Sequence, residues 1–144
     1  MTIRHARLSD ISSLVEMGGR FVRSSAYGKI LADDADARKA LMRRLIESSD
    51  GAIFVSQRNG HLTGMIGVAA YQHPWSGQWI AGELFWWVEP EARGSGIKLL
   101  KRAEYWMKSK GCAIAQMVAP NDRVARVYQR LGYAKLEEAW QRSL

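Results

Sequence analysis

The stretch PEARGSGIKLL, Pro90 to Leu100, sets Arg93, Gly94, Ser95 and Gly96 directly before an apolar-periodic run. The preceding segment, WIAGELFWWVEP, is a long apolar strand that stops at Pro90. The following one predicts a helix from Gly96 to about Lys110, with Ile97, Leu100, Ala103 and Met107 turned inwards. A strand that passes through a glycine-rich turn into a helix makes an anion site. The first helical amides have no intrahelical partner, and the helix dipole favours negative charge there. Glycine lets the main chain approach an oxygen that a Cβ would obstruct. The candidate amides run from Gly94 to Lys98, and Arg93 adds a forked donor. The same residues also suit a turn that merely needs φ > 0, with the arginine in water, and on local grounds both readings stand. The spacing is neither a P-loop nor a dinucleotide fingerprint.

Working outwards, TIRHA alternates and predicts a first strand, Thr2 to Ala6. A helix follows with Ser9 or Asp10 as N-cap and a stripe of Ile11, Leu14, Val15 and Met17; Gly18 and Gly19 are expected to weaken or end it. After the loop or irregular helix SSAYGKILADD, a second helix covers about Asp34 to Ser48, burying Ala37, Leu41, Leu45 and Ile46. The period then changes. Ala52–Gln57 and His61–Tyr71 are strands joined by the hairpin turn Asn59-Gly60. Downstream, CAIAQMVA is expected as a buried strand and NDRVARVYQRLG as a helix capped by Asn121 or Asp122 and stopped at Gly132. One or two closing strands are expected in YAKLEEAWQRSL. The order β-α-α-β-β-β-α-β-α-β describes a mixed sheet flanked by helices, an α/β or α+β domain.

The 144 residues, 47% apolar and 24% charged, suit one globular domain with one core. Met1 to Asp10 has no apolar leader core, and no apolar run approaches a membrane span, so the expectation is a cytoplasmic protein. The single Cys112 excludes an intrachain disulfide, and His5, His61 and His73 are scattered, so no metal site is expected. The net charge of +7 is uneven: residues 91–144 carry eleven Lys or Arg against five Asp or Glu, residues 1–90 ten against nine. A basic C-terminal part fits an anionic partner, whether nucleic acid, acidic protein or phosphorylated cofactor. No zinc finger, helix-turn-helix or RNP-like strand supports specific nucleic-acid reading. Trp75 and Trp79 flank a Ser-Gly connection and could line a pocket or a homodimer contact.

A second clue lies beyond the helix. NDRVARVYQRLGY sets Asn121, Ala125 and Tyr128 on one side of a helix. With the strand ending in Val-x-Pro (FWWVEPE) and the turn Arg93-x-x-Gly96-x-Lys98, this order resembles the GNAT superfamily of N-acetyltransferases. The family's loop is Arg/Gln-x-x-Gly-x-Gly/Ala, so Lys98 stands where a small residue is usual. The likeness runs from Thr2 to Leu144, a single domain over residues 1–144.

The resemblance implies an acyl-CoA N-acyltransferase fold: a central, mostly antiparallel sheet flanked by helices, with the fourth strand (Trp79–Val88) and fifth strand (Ala113–Ala119) splayed apart. It implies acetyl-CoA as cofactor and an amine acceptor, a protein or small molecule. Backbone groups near Trp86, Trp87 and Val88 would meet the pantetheine arm and thioester carbonyl, and Arg93, Gly94, Ser95, Gly96, Ile97 and Lys98 the pyrophosphate. Asn121 would steady the arm, Tyr128 would sit near the sulfur, and Arg126 or Arg123 near the 3′-phosphate or adenine. The acceptor would lie between Phe21–Leu31 and Ala134–Trp140, with Tyr27, Glu137, Glu138 and Trp140 as wall residues.

Acyl transfer to nitrogen needs an amine with its lone pair free, hence a base. Glu83 is the only acid inside WIAGELFWWV, and apolar neighbours would raise its pKa. Strict alternation would set Glu83, Phe85 and Trp87 on one, acceptor-lining face, with Leu84, Trp86 and Val88 on the other. Tyr128 is then the candidate acid toward the leaving thiolate. A salt-bridged Glu83, a fold of this kind that binds acyl-CoA or a partner protein without catalysis, and a basic nucleic-acid-binding module are the competing expectations.

Overall fold

The computed structural model describes residues Met1–Leu144. Five strands, β1 (Thr2–His5), β2 (Gly51–Arg58), β3 (His61–Gln72), β4 (Trp79–Val88) and β5 (Ile114–Gln116), form one sheet in the order β1-β2-β3-β4-β5. The first four pair antiparallel, and β5 joins β4 in parallel. Four helices cover the faces: α1 (Ile11–Ser24), α2 (Ala35–Glu47), α3 (Gly96–Ser109) and α4 (Asp122–Arg130). This is the mixed, helix-flanked sheet that the element order and the family resemblance imply. No helix is long and apolar enough to cross a membrane.

Alternation along the buried strands builds two cores. Ile53 and Val55 of β2, with Met65 and Phe85, pack under Leu14 and Met17 of α1 and Met42 and Leu45 of α2. Ala52 and Phe54, with Ile66, Val68 and Ala81, pack under Leu99, Leu100, Ala103 and Met107 of α3 and Tyr128 of α4. The sheet is thus buried on both faces, which explains the unbroken apolar runs in β2, β3 and β4.

Besides Ala37 and Ile97, expected inwards but exposed, three elements differ from the sequence expectation. Helix α1 does not end at Gly18–Gly19 but runs on to Ser24. The two glycines are buried where α1 meets α2, and a Cβ on Gly18 would lie 3.2 Å from Cδ of Arg38. Close helix approach outweighs the roughly 1 kcal/mol propensity cost of a helical glycine. The fifth strand is shorter than Ala113–Ala119, because its pairing with β4 stops at Gly82↔Gln116. The closing strands expected in Tyr133–Leu144 do not form: this segment is without helix or strand, and Leu136, Trp140 and Leu144 are exposed. A spacing of four would set Leu136, Trp140 and Leu144 on one face of a strand, but the sheet takes up no sixth strand and all three stay in solvent.

Candidate active site

Strand β4 carries an irregularity that rearranges every candidate on it. Phe85 pairs with Gly67 but Glu83 with Val68, so β4 has one residue more than β3 around Leu84. Such a bulge flips the alternation that follows. Ala81 lies in the α3 core before the bulge, Phe85 in the α1–α2 core after it, with Trp86 and Val88 against α3 and Trp87 against α1. The single acceptor-lining face of Glu83, Phe85 and Trp87 is therefore not formed. Phe85 is 4% exposed and lies over Gly67, where its ring fills the space a Cβ would take. Trp87 packs edge-on against Phe21 of α1, ring centroids 6.3 Å apart.

The bulge also re-aims the backbone. Ala113 N donates to Trp79 O at 3.1 Å, so before the bulge the odd-numbered residues face β5. Glu89 N donates to Thr63 O at 2.9 Å, so after it the odd-numbered residues face β3. Alternation within an antiparallel pair then turns the N–H and C=O of Trp86 and Val88 towards β5. By that point β5 has diverged, and those groups open into the gap between the two strands. The backbone of Trp87 faces β3 instead.

Two side chains reach across the gap to one peptide segment. Val118 N donates to Glu83 Oε2 at 3.2 Å, and Tyr128 Oη donates to Val118 O at 3.2 Å. Both grip the chain where it leaves β5. Desolvation pushes the half-buried Glu83 carboxyl up to about 7, opposed by the bond from Val118 N. Burial first, then the charges of Glu83 and Tyr133, holds the Tyr128 phenol well above its ordinary range, so it keeps its proton. Tyr128 stacks on Trp86 at 5.7 Å between ring centroids. Helix α4 owes its start to Asn121, whose Oδ1 accepts from Val124 N at 3.0 Å, a cap of about 1 kcal/mol. Asn121 and Arg126 are exposed.

At the head of α3 the loop has the form an anion site requires. Gly94 has φ +108°, a conformation that L side chains rarely adopt. Ser95 is buried, with its hydroxyl on Ala92 O at 3.1 Å. The amides of Gly94, Gly96 and Ile97 find no acceptor in the protein. That of Lys98 is used: it donates to Ser95 O at 3.1 Å, so the set of free amides is narrower than Gly94–Lys98. Lys98 lines a cavity of about 190 Å³ together with Arg93, Gly94 and Ser95 of the loop and with Met1 and Arg58, whereas Gly96 faces Trp86. A Cβ on Gly96 would stand 3.1 Å from Cζ2 of Trp86 and 3.3 Å from Cγ2 of Val88. Trp86 Nε1 is itself buried without an acceptor. Free amides, with the Trp86 indole packed against Gly96 and an unpaired strand edge, together fit a phosphorylated cofactor with an amide-bearing arm.

Other candidates lie apart from this gap. Tyr27 is in the turn after α1 and 44% exposed, while Trp140 is 88% exposed on the C-terminal segment. Glu138 pairs with Lys135. Trp75 is exposed at the β3–β4 hairpin. Burial pushes the Cys112 thiol up, away from a reactive thiolate. One pair escapes the sequence reading altogether: Glu89, 7% exposed, accepts from Arg20 Nε of α1 at 2.9 Å and from a terminal nitrogen of the same guanidinium. Their separation of 69 residues hides them from any local pattern.

Residues 23–133 match the Acetyltransferase (GNAT) family, and the chain belongs to that family. Its fold is similar to a transcriptional regulator from Bacillus halodurans C-125 (20% identity, TM-score 0.80, 99% of each chain covered). It is similar to the aminoglycoside 6′-N-acetyltransferase AAC(6′)-IG from Acinetobacter haemolyticus (18% identity, TM-score 0.76, 100% of this chain and 98% of that one). A third likeness is AAC(6′)-Iy, solved with a bisubstrate analogue, CoA-S-monomethyl-acetylneamine (17% identity, TM-score 0.78, 99% and 97% covered). No match was found among curated protein sequences.

Proposed function

We propose that this protein is an N-acetyltransferase that moves an acetyl group from acetyl-CoA to a primary amine within a ternary complex. The observation that carries the reading is the coincidence, around one gap, of free loop amides at the head of α3, the unpaired β4 edge at Trp86 and Val88, and the Glu83–Val118–Tyr128 grip. When bound, acetyl-CoA supplies an acetyl thioester, already activated toward a neutral amine. Gly94, Gly96 and Ile97 donate main-chain N–H groups to its diphosphate, with Arg93 and Ser95 shaping the turn and Lys98 beside it. Trp86 and Val88 present main-chain groups to the amide-bearing arm, and Val88 N–H steadies negative charge developing on the acyl oxygen. Asn121 and Arg126 lie on the α4 side of the gap.

Glu83 takes the proton from the attacking ammonium, directly or through one water. A carboxyl near 7 suits a general base, being substantially ionised at neutral pH and basic enough to accept the proton. Tyr128 keeps a proton on Oη that it would give to the departing thiolate, and it would regain one from the second N–H that the nitrogen sheds as the amide forms, so that no phenolate is left. Tyr27 and Trp140, both exposed, are the acceptor-side candidates.

The test is a reaction of purified protein with acetyl-CoA and a panel of amines, with free thiol followed over time and duplex DNA as a binding control. Thiol release that depends on one amine class is expected. Cofactor binding without turnover on any amine would leave a non-catalytic acyl-CoA-binding module, and binding of the duplex alone would leave a nucleic-acid-binding protein.

A further inference from the structure

The loop proposed to grip the diphosphate is tied back to Glu89 by its own hydrogen bonds. Glu89 O accepts from Ala92 N at 2.9 Å. Ala92 O accepts from Ser95 Oγ at 3.1 Å and, more weakly, from Ser95 N at 3.4 Å. Ser95 O accepts from Lys98 N at 3.1 Å and Leu99 N at 3.3 Å. This relay runs without a break from the end of β4 into the first turn of α3, and Gly94, Gly96 and Ile97 ride on it. Whatever fixes Glu89 fixes the direction of those amides.

Glu89 is held on two further sides. Its N–H donates to Thr63 O on β3 at 2.9 Å, and its buried carboxylate takes two N–H donors from Arg20. Thr63 is in turn bonded through its hydroxyl to the fully buried Ser56 of β2, 3.0 Å away. Arg20 sits on α1 next to Phe21, which packs on Trp87. A carboxylate this buried needs its partner, because an uncompensated charge there is heavily penalised. The pair therefore ties α1 to the residue at which the loop leaves β4.

We propose that Arg20 is a positioning residue: through Glu89 it sets the orientation of the Gly94–Ile97 amides, and thereby the affinity for the cofactor diphosphate. The second half of this statement rests on the functional reading above; the first does not. Arg20→Gln strands a buried carboxylate and can unfold the chain, so the deciding variants are the neutral pair Arg20→Gln/Glu89→Gln and the charge-conserving Arg20→Lys. Amide-resolved hydrogen exchange on the free protein tests the first half. In the neutral pair, the bonded amides of Glu89, Ala92, Ser95 and Lys98 are expected to exchange about tenfold faster, with Phe54 and Val55 of β2 within about twofold of wild type. In Arg20→Lys the same four amides stay within about threefold of wild type. Unchanged exchange at these four, or an equal rise in β2, overturns the proposal whether or not coenzyme A binds.

Calorimetric titration with coenzyme A tests the second half. About a tenfold rise in Kd is expected for the neutral pair, recovered to within about threefold in Arg20→Lys. An unaltered Kd in the neutral pair overturns the link to affinity. Failure of the wild type to bind coenzyme A sinks the functional reading, and the exchange experiment still decides the role of Arg20.

Discussion

The two edges of β4 are built from the same ten residues and behave differently. The edge facing β3 is paired from Trp79 to Val88 and extends to Glu89. The edge facing β5 is paired only over Ile80, Ala81 and Gly82. Along the first edge backbone groups are consumed in the sheet, and the neighbouring side chains are core. Along the second, pairing stops, and side chains take over the cohesion: Glu83 and Tyr128 hold Val118 where a strand partner would otherwise be. Sheet closure and site construction compete for the same donors and acceptors, and the bulge at Leu84 is where the strand changes from one to the other.

If the open edge is the working one, its residues should dominate activity. The largest effect is expected for Glu83→Gln, which keeps the bond from Val118 N but not the basicity. We expect kcat/KM to fall about a hundredfold or more, together with loss of the pH dependence that Glu83 should impose on the wild type near 7. In the wild type the rate should fall as pH drops through that range, because a protonated Glu83 cannot take the ammonium proton. Tyr128→Phe comes next, with kcat down about tenfold to a hundredfold and little change in coenzyme A affinity measured by calorimetry. Gly96→Ala, whose new methyl would press on Trp86, should weaken coenzyme A binding about tenfold while leaving the melting temperature within a few degrees.

Part of this contrast is legible in the sequence. Periodicity shows the two helical layers, the hairpin at Asn59-Gly60 and the strand–turn–helix around Gly96, because these depend on neighbours a few residues away. Glu83 and Tyr128 stand out by chemistry, and the structure brings both to Val118. The bulge is not legible: nothing local in GELFW announces that Glu83 and Phe85 leave a common face, since the cause is the register against Gly67 and Val68 on another strand. The same holds for Glu89, whose surroundings in VEP look like an exposed turn until Arg20 arrives from α1. The C-terminal segment misleads in the opposite way: Leu136, Trp140 and Leu144 have the parity of a strand face, yet the sheet ends at β5 and leaves them exposed.

The smallest predicted effect concerns stability on the open edge. Folding raises the Glu83 carboxyl from its ordinary 4.5 to about 7. Below about pH 4 both folded and unfolded states are protonated and nothing is lost. Between 4.5 and 7 the unfolded chain ionises first, so the folded state loses stability as pH rises. Glu83→Gln should therefore melt a few degrees above wild type at pH 8 and level with it at pH 4 in thermal denaturation. A gap of the same size at both pH values would mean that Glu83 is not desolvated.

In the proposed function, unpaired main-chain nitrogens between β4 and α3, with the open β4 edge, hold the cofactor. The most direct measurement is an amide-resolved NMR titration of the wild type with coenzyme A. We predict the largest shifts at Gly94, Gly96, Ile97, Trp86 and Val88, with β1 and β2 silent. Saturable binding that leaves those five amides unmoved, or no binding at all, would contradict it.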